Sequence, residues 1–143
     1  MTSADLPFEL RDDDPIDDDQ LIDLYASVGW TAYAREPQRL VRALAGSRCW
    51  VSAYDGGTLV GLARAIGDGE TIAYVQDVLV RPETQRHGVG RALLERLLER
   101  LDVRQVVLLT DDEPGQHAFY HSCGLVQAGE VSTGPLHAFV RLR

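Results

Sequence analysis

The stretch "VLVRPETQRHGVGRALLERLLERL", residues 78–101, constrains the fold more than any other part of the chain. An apolar strand runs into Arg81-Pro82, a polar loop follows, and a helix begins directly after Gly88 and Gly90. Leu93, Leu94, Leu97, Leu98 and Leu101 make one helical stripe, with Arg91, Glu95, Arg96, Glu99 and Arg100 on the wet side. "QVVLLT" (105–110) then reads as a fully apolar strand, expected in the buried centre of a sheet. A strand, a helix and a strand in succession need a crossover, so the two strands pair in parallel.

The remaining elements follow from periodicity and punctuation. "FELRD" (8–12) reads as a first strand. Asp17 to Asp19 offer an N-cap to a helix whose stripe is Leu21, Leu24, Tyr25 and Val28, ended by Gly29. "PQRLVRALAGS" is a second helix with Pro37 in its first turn and Gly46 at its end. Cys49 to Tyr54 and Thr58 to Ile66 form a hairpin around "DGG", and "TIAYVQDVLV" follows after the turn "GDGE". "GQHAFYHSC" is a short helix stopped by Gly124, and "HAFVRLR" is expected to close the sheet, with one more strand near Val126 to Val131. The expected fold is therefore α/β (α+β), with a single mixed, mostly antiparallel central sheet of six to seven strands and four flanking helices. The expectation is one domain over residues 1–143.

Composition removes several function classes. The net charge of −8 argues against a sequence-independent nucleic-acid binder and fits an enzyme for small, even cationic, molecules. Much of that charge lies in "DDDPIDDD", whose plain reading is a solvated loop before a helix start. No apolar run reaches the roughly 18 residues of a membrane span, and the first residues lack the pattern of an export signal. The expected location is the cytoplasm, with Cys49 and Cys123 as thiols. His117 and His121 share helical spacing, but no H-E-x-x-H and no cysteine pair accompanies them, so no metal is expected.

"QRHGVG" follows a strand and opens a helix. A helix start leaves N–H groups unpaired and carries a partial positive charge, which makes an anion site. Arg86 and Arg91 add charge at its rim. The loop is neither a Walker loop nor a dinucleotide fingerprint, and a tight turn without a ligand is the competing reading.

The neighbouring motifs carry a resemblance. "QRHGVG" is similar to the Q/R-x-x-G-x-G/A signature of the GNAT superfamily of acyl-CoA N-acyltransferases. "DVLVRPE" precedes it and "FYHSCGL" follows, as in that family, with Leu125 where a phenylalanine is usual. "GWTAY" and "VGLARAIGDGETIAYVQDVLV" resemble a subgroup that includes bacterial amine and serotonin acetyltransferase-like proteins. The resemblance implies an acetyl-CoA-dependent N-acetyltransferase with a small primary amine as acceptor, acting as monomer or homodimer. It implies that Gln85, Arg86, His87, Gly88, Val89, Gly90 and Arg91 hold the pyrophosphate. It also implies a bulge that splays the fourth strand from the fifth, with Val78, Leu79 and Val80 binding the pantetheine arm. Tyr120 matches the tyrosine assigned as general acid to the departing thiolate, against the alternative that Phe119 and Tyr120 only pack the helix.

The base stays open between Asp77, an acid in an apolar strand, Asp111, after the fifth strand, and a water chain. Trp30, Tyr33, Arg64, Tyr74 and Gln76 are the substrate-binding candidates, Trp30 and Tyr33 as an apolar or cation–π wall or as core. Rival functions are a protein N-terminal or lysine acetyltransferase, a non-catalytic acyl-CoA-binding module, and a tRNA-acetylating toxin, the last disfavoured by the acidic charge.

Overall fold

The computed structural model describes residues 6–143. In chain order these form β1 (Glu9–Asp12), α1 (Asp18–Ser27), α2 (Thr31–Ala34), α3 (Pro37–Ala45), β2 (Cys49–Asp55), β3 (Thr58–Gly67), β4 (Ile72–Val80), α4 (Val89–Arg100), β5 (Gln105–Leu108) and α5 (Pro114–Ser122). Short 3-10 turns lie at Pro82–Thr84 and Ala128–Glu130. The chain divides into two compact units, one running to Leu109 and one from Thr110 to Arg143.

The first unit is built on one open sheet of order β1-β2-β3-β4-β5. β1 to β4 pair antiparallel, and β4 pairs β5 in parallel, as the crossover through α4 requires. Asp17 caps α1 by accepting from the Gln20 N–H at 3.1 Å. Leu21, Leu24 and Tyr25 of α1 pack with Leu40 and Leu44 of α3 onto Leu59, Leu62 and Leu79 of the sheet. α4 buries Val89, Leu93, Leu94 and Leu97. It can approach closely because β3 carries Gly61, where a Cβ would fall 2.8 Å from Leu93 Cδ1 and 3.2 Å from the Leu79 carbonyl oxygen.

Three expectations need correction. The sheet has five strands among the described residues, not six to seven. Neither Val126 to Val131 nor "HAFVRLR" forms a strand. Phe139 is 96 % exposed, and Val140 and Leu142 are also on the surface. A strand pattern says that a segment can pair; without a ladder partner it stays irregular. For the same reason β5 is an edge strand rather than the buried centre. It is short, half-buried over Val106 to Leu108, and followed by an exposed Leu109. Finally, among the described residues there are five α-helices rather than four, because the segment "TAYA" closes one helical turn as α2. One turn carries no periodicity for a sequence to display.

The second unit holds α5, capped by the Glu113 carboxylate, which accepts from the Gly115 and Gln116 N–H groups at 2.9 Å each. His117 lies 3.6 Å from Asp112, and His121 lies 4.0 Å from Glu130.

Candidate active site

β4 ends in a buried stretch that fixes the loop after it. Arg81 is held on three sides: its N–H donates to Val60 O at 2.8 Å, its Nε to Leu59 O at 2.7 Å, and its guanidinium pairs with Asp23 at 2.7 Å. Gln85 folds back and donates to Val80 O at 3.1 Å, and His87 Nδ1 lies 3.2 Å from Thr84 O. From that anchored base the backbone turns left-handed at Arg86 (φ 65°) and again at Gly88 (φ 81°). A left-handed arginine is uncommon; among the described residues Asp13 is the other non-glycine with a positive φ. Gly88 is the N-cap of α4 and supplies no side-chain cap. The first intrahelical bond of α4 is donated by Ala92 to Gly88 O at 3.0 Å. The N–H groups of Val89 and Gly90 come before it and lie at the helix start, where backbone donors can receive an anion. No atom lies within 4 Å of a Cβ built on Gly88, so this glycine is required by its φ and not by crowding.

The second component is the edge of β4. β5 pairs with β4 from Ile72 to Val75 and ends there, while β4 continues to Val80. Gln76 to Val80, which include Val78, Leu79 and Val80, therefore have no β5 ladder on one side. The ladder to β3 is irregular at the same place. Arg64 faces Asp77 and Ala65 faces Val75, so Gln76 is an extra residue. The irregularity thus lies on the β3 side at Gln76, just before the segment where the sequence resemblance put it.

A bulge turns neighbouring side chains towards one face. Here it brings Gln76 and Asp77 to the same hydroxyl. Tyr33 on α2 donates to Asp77 Oδ1 at 3.2 Å, and Gln76 Nε2 donates to the Tyr33 oxygen at 3.4 Å. Behind them Asp77 Oδ2 accepts from the Tyr25 hydroxyl at 2.7 Å and from Arg64 Nε at 2.5 Å. Arg64 also donates to Ser47 Oγ at 3.2 Å. Asp77 and Arg64 are 3 % and 4 % exposed. Burial pushes the Tyr25 phenol well up, and the Asp77 charge adds to it, so Tyr25 is a donor at any physiological pH. Burial alone would lower the Arg64 pKa, but the Asp77 carboxylate and the Tyr25 phenol outweigh it and the net shift is upward.

The structure therefore separates the sequence candidates. Trp30, Tyr33, Gln76 and Asp77 come together, with Trp30 packed edge-on to Tyr25 at 5.8 Å and tilted to Tyr33 at 6.1 Å. Arg64 stands behind the site, its donors committed to Asp77 and Ser47. Tyr74 is half-buried between Ile66 of β3 and Val107 of β5. In the second unit Asp111 is exposed, and Tyr120 is half-buried in α5 against Phe119 at 5.1 Å. Burial, with a smaller contribution from Cys123, raises the Tyr120 pKa and keeps the phenol protonated. Tyr25 was missed by sequence reasoning because its spacing is that of a core stripe. The available signal was a hydroxyl within that stripe and an acid in an apolar strand.

The model of the Acetyltransferase (GNAT) family matches residues 14–125. The chain belongs to the GNAT acetyltransferase family. It is 36% identical over 130 residues to serotonin N-acetyltransferase 2, chloroplastic, of Oryza sativa subsp. japonica, covering 86% of this chain and 62% of that protein. It is 35% identical over 111 residues to GCN5-related N-acetyltransferase 1, chloroplastic, of Arabidopsis thaliana, covering 76% of this chain and 55% of that one. The chain thus spans 55% to 62% of the length of these GNAT relatives. Among solved structures, a GNAT family acetyltransferase of Streptococcus pneumoniae TIGR4 superposes with a TM-score of 0.82 at 30% identity, covering 95% of this chain and 98% of that one. No helix among the described residues is long and apolar enough to cross a membrane.

Proposed function

We propose that this GNAT domain transfers the acetyl group of acetyl-CoA to the primary amine of a small molecule, by direct attack in a ternary complex. The observation that carries the reading is the pairing of two features on one strand: β4 loses its β5 partner after Val75, and the loop leaving β4 turns left-handed at Arg86 and Gly88 into α4. A thioester arm along Val78 to Val80 and a pyrophosphate at Gln85 to Arg91 suit those two features in order. Residues present therefore fit the co-substrate. The family model runs across the division after Leu109, which supports treating residues 1–143 as one acetyltransferase domain.

The reaction forms an N–C bond, breaks the C–S bond and returns a proton to the sulfur. The Leu79 N–H lies in the β3 ladder opposite Leu62, so a neighbouring β4 N–H on the open side, that of Val78 or Val80, polarises the acetyl oxygen. Tyr120, kept protonated by burial, supplies the proton to the thiolate. The amine's proton leaves through water, with Asp111 as the carboxylate alternative. Asp77 already accepts three hydrogen bonds, one from a guanidinium, and acts as a positioning group rather than as the base. The acceptor end is lined by Trp30, Tyr33 and Gln76, with Tyr74 on the same strand. A cytoplasmic location belongs to the same proposal, since a reducing compartment keeps Cys49 and Cys123 as thiols.

Thiol release from acetyl-CoA, followed with a panel of primary amines, tests the reading. Tyr120→Phe is expected to lower kcat by about 100-fold or more with the KM for acetyl-CoA little changed. Wild-type turnover matched by Tyr120→Phe removes the acid role, and no release with any amine removes the transferase reading.

A further inference from the structure

The hydrogen-bond inventory around Tyr33 decides what its hydroxyl can offer a ligand. A phenol has one O–H and two acceptor lone pairs. Tyr33 commits its O–H to Asp77 Oδ1, and one lone pair receives Gln76 Nε2. One lone pair is left, so towards a ligand Tyr33 only accepts. That orientation is imposed from behind. Asp77 cannot donate, and its other oxygen is fixed by Tyr25 and Arg64. The hydroxyl is polarised by the carboxylate it donates to. The half-buried Trp30 ring lies 6.1 Å from the Tyr33 ring, whereas the Tyr25 ring, 4.9 Å from it, is fully buried behind the site. Tyr33 and Trp30 are both half-buried and Gln76 is exposed, so this end of the network reaches solvent.

We propose that Tyr33 is the specificity-determining residue of the acceptor site. Its oxygen, locked as an acceptor by the Asp77–Arg64–Tyr25 network, selects a primary ammonium carried on a flat apolar body over neutral ligands of the same shape. The inference rests on the acetyltransferase reading only for the name of the site. An ammonium presents three donors and no acceptor, which matches an acceptor-only hydroxyl beside the partly exposed Trp30 ring. An alcohol of the same shape brings only one neutral donor and gains less from both.

The network also predicts how to invert the preference. In Asp77→Asn, the Tyr25 hydroxyl and Arg64 Nε still converge on the position of Oδ2, so the amide oxygen must sit there. The amide NH2 then faces Tyr33 and donates to it, and the Tyr33 hydrogen turns outward. The site becomes a donor and rejects an ammonium.

The test is calorimetric titration of the full chain, with coenzyme A present, using phenethylammonium and phenethyl alcohol at neutral pH. The wild type is expected to bind the ammonium more tightly than the alcohol by roughly tenfold or more. Tyr33→Phe should lose about that factor for the ammonium and little for the alcohol. In folded Asp77→Asn the order of the two ligands should reverse. An ammonium affinity unchanged in Tyr33→Phe, or a wild type that binds neither ligand or prefers the alcohol, overturns the inference. Thiol release from acetyl-CoA is measured on the same protein. Ammonium selection without release sinks the transferase reading alone, whereas release with selection untouched by Tyr33→Phe sinks this inference alone.

Discussion

Asp77 occupies a buried position in β4 between Gln76 and Val78, where an acid is costly unless donors converge on it. Three do, and a guanidinium is one of them. The pair is nevertheless unforgiving of partial removal. Replacing Arg64 by Met leaves a buried carboxylate without its cation, a change that costs about 3–5 kcal/mol in comparable sites. Urea unfolding should show Arg64→Met less stable by that amount, with the m-value retained. A double variant, Arg64→Met with Asp77→Leu, should recover most of the loss, since apolar replacements of buried pairs are often near neutral. Equal stability of wild type and Arg64→Met would mean that Asp77 is solvated rather than paired.

At the scale of elements, the turn between β3 and β4 sets the register on which the Arg64–Asp77 contact depends. Asp68 holds that turn: Oδ1 accepts from the Glu70, Thr71 and Ile72 N–H groups and Oδ2 from the Thr71 hydroxyl. The Thr71 hydroxyl, then those backbone N–H groups, hold the Asp68 carboxyl far below its ordinary value. A carboxyl with a lowered folded-state pKa stabilises above its unfolded value, about 3.9, and loses that contribution as pH falls towards the folded value. Asp68→Ala should therefore melt below the wild type at neutral pH, and the gap in Tm should shrink as pH falls under about 3.9. A gap that is constant across that range would leave the turn held by something other than the ionised carboxylate.

The same scale shows what the sequence could and could not carry. The stripe of Leu93, Leu94 and Leu97 and the apolar runs of β2 to β4 around the turns "DGG" and "GDGE" are local patterns, and they specified α4 and the antiparallel core directly. The sharp turn into α4 was legible because Gly88 needs its left-handed φ. What stayed hidden depends on pairing between distant residues. The end of β5 against Val75, the extra residue at Gln76, and the meeting of Tyr25 with Asp77 join positions far apart in sequence. "HAFVRLR" shows the converse, a strand pattern without a ladder.

For the molecule as a whole, the net charge of −8 raises the local concentration of cations, which would favour the ammonium acceptor proposed above. It works against an anionic co-substrate, so under the proposed function the burden of binding acetyl-CoA would fall on the loop from Gln85 to Arg91. That dependence makes titration of the purified chain with acetyl-CoA the most direct measurement. It is made on the wild type, on Gly88→Glu, and on Gly88→Asn, whose side chain tolerates a left-handed backbone. Saturable binding by the wild type, largely kept in Gly88→Asn and abolished in Gly88→Glu, is the predicted result, because only the glutamate sets a negative charge at the anion site. A folded wild type that does not bind acetyl-CoA, or a Gly88→Glu variant that binds it equally well, would contradict the account.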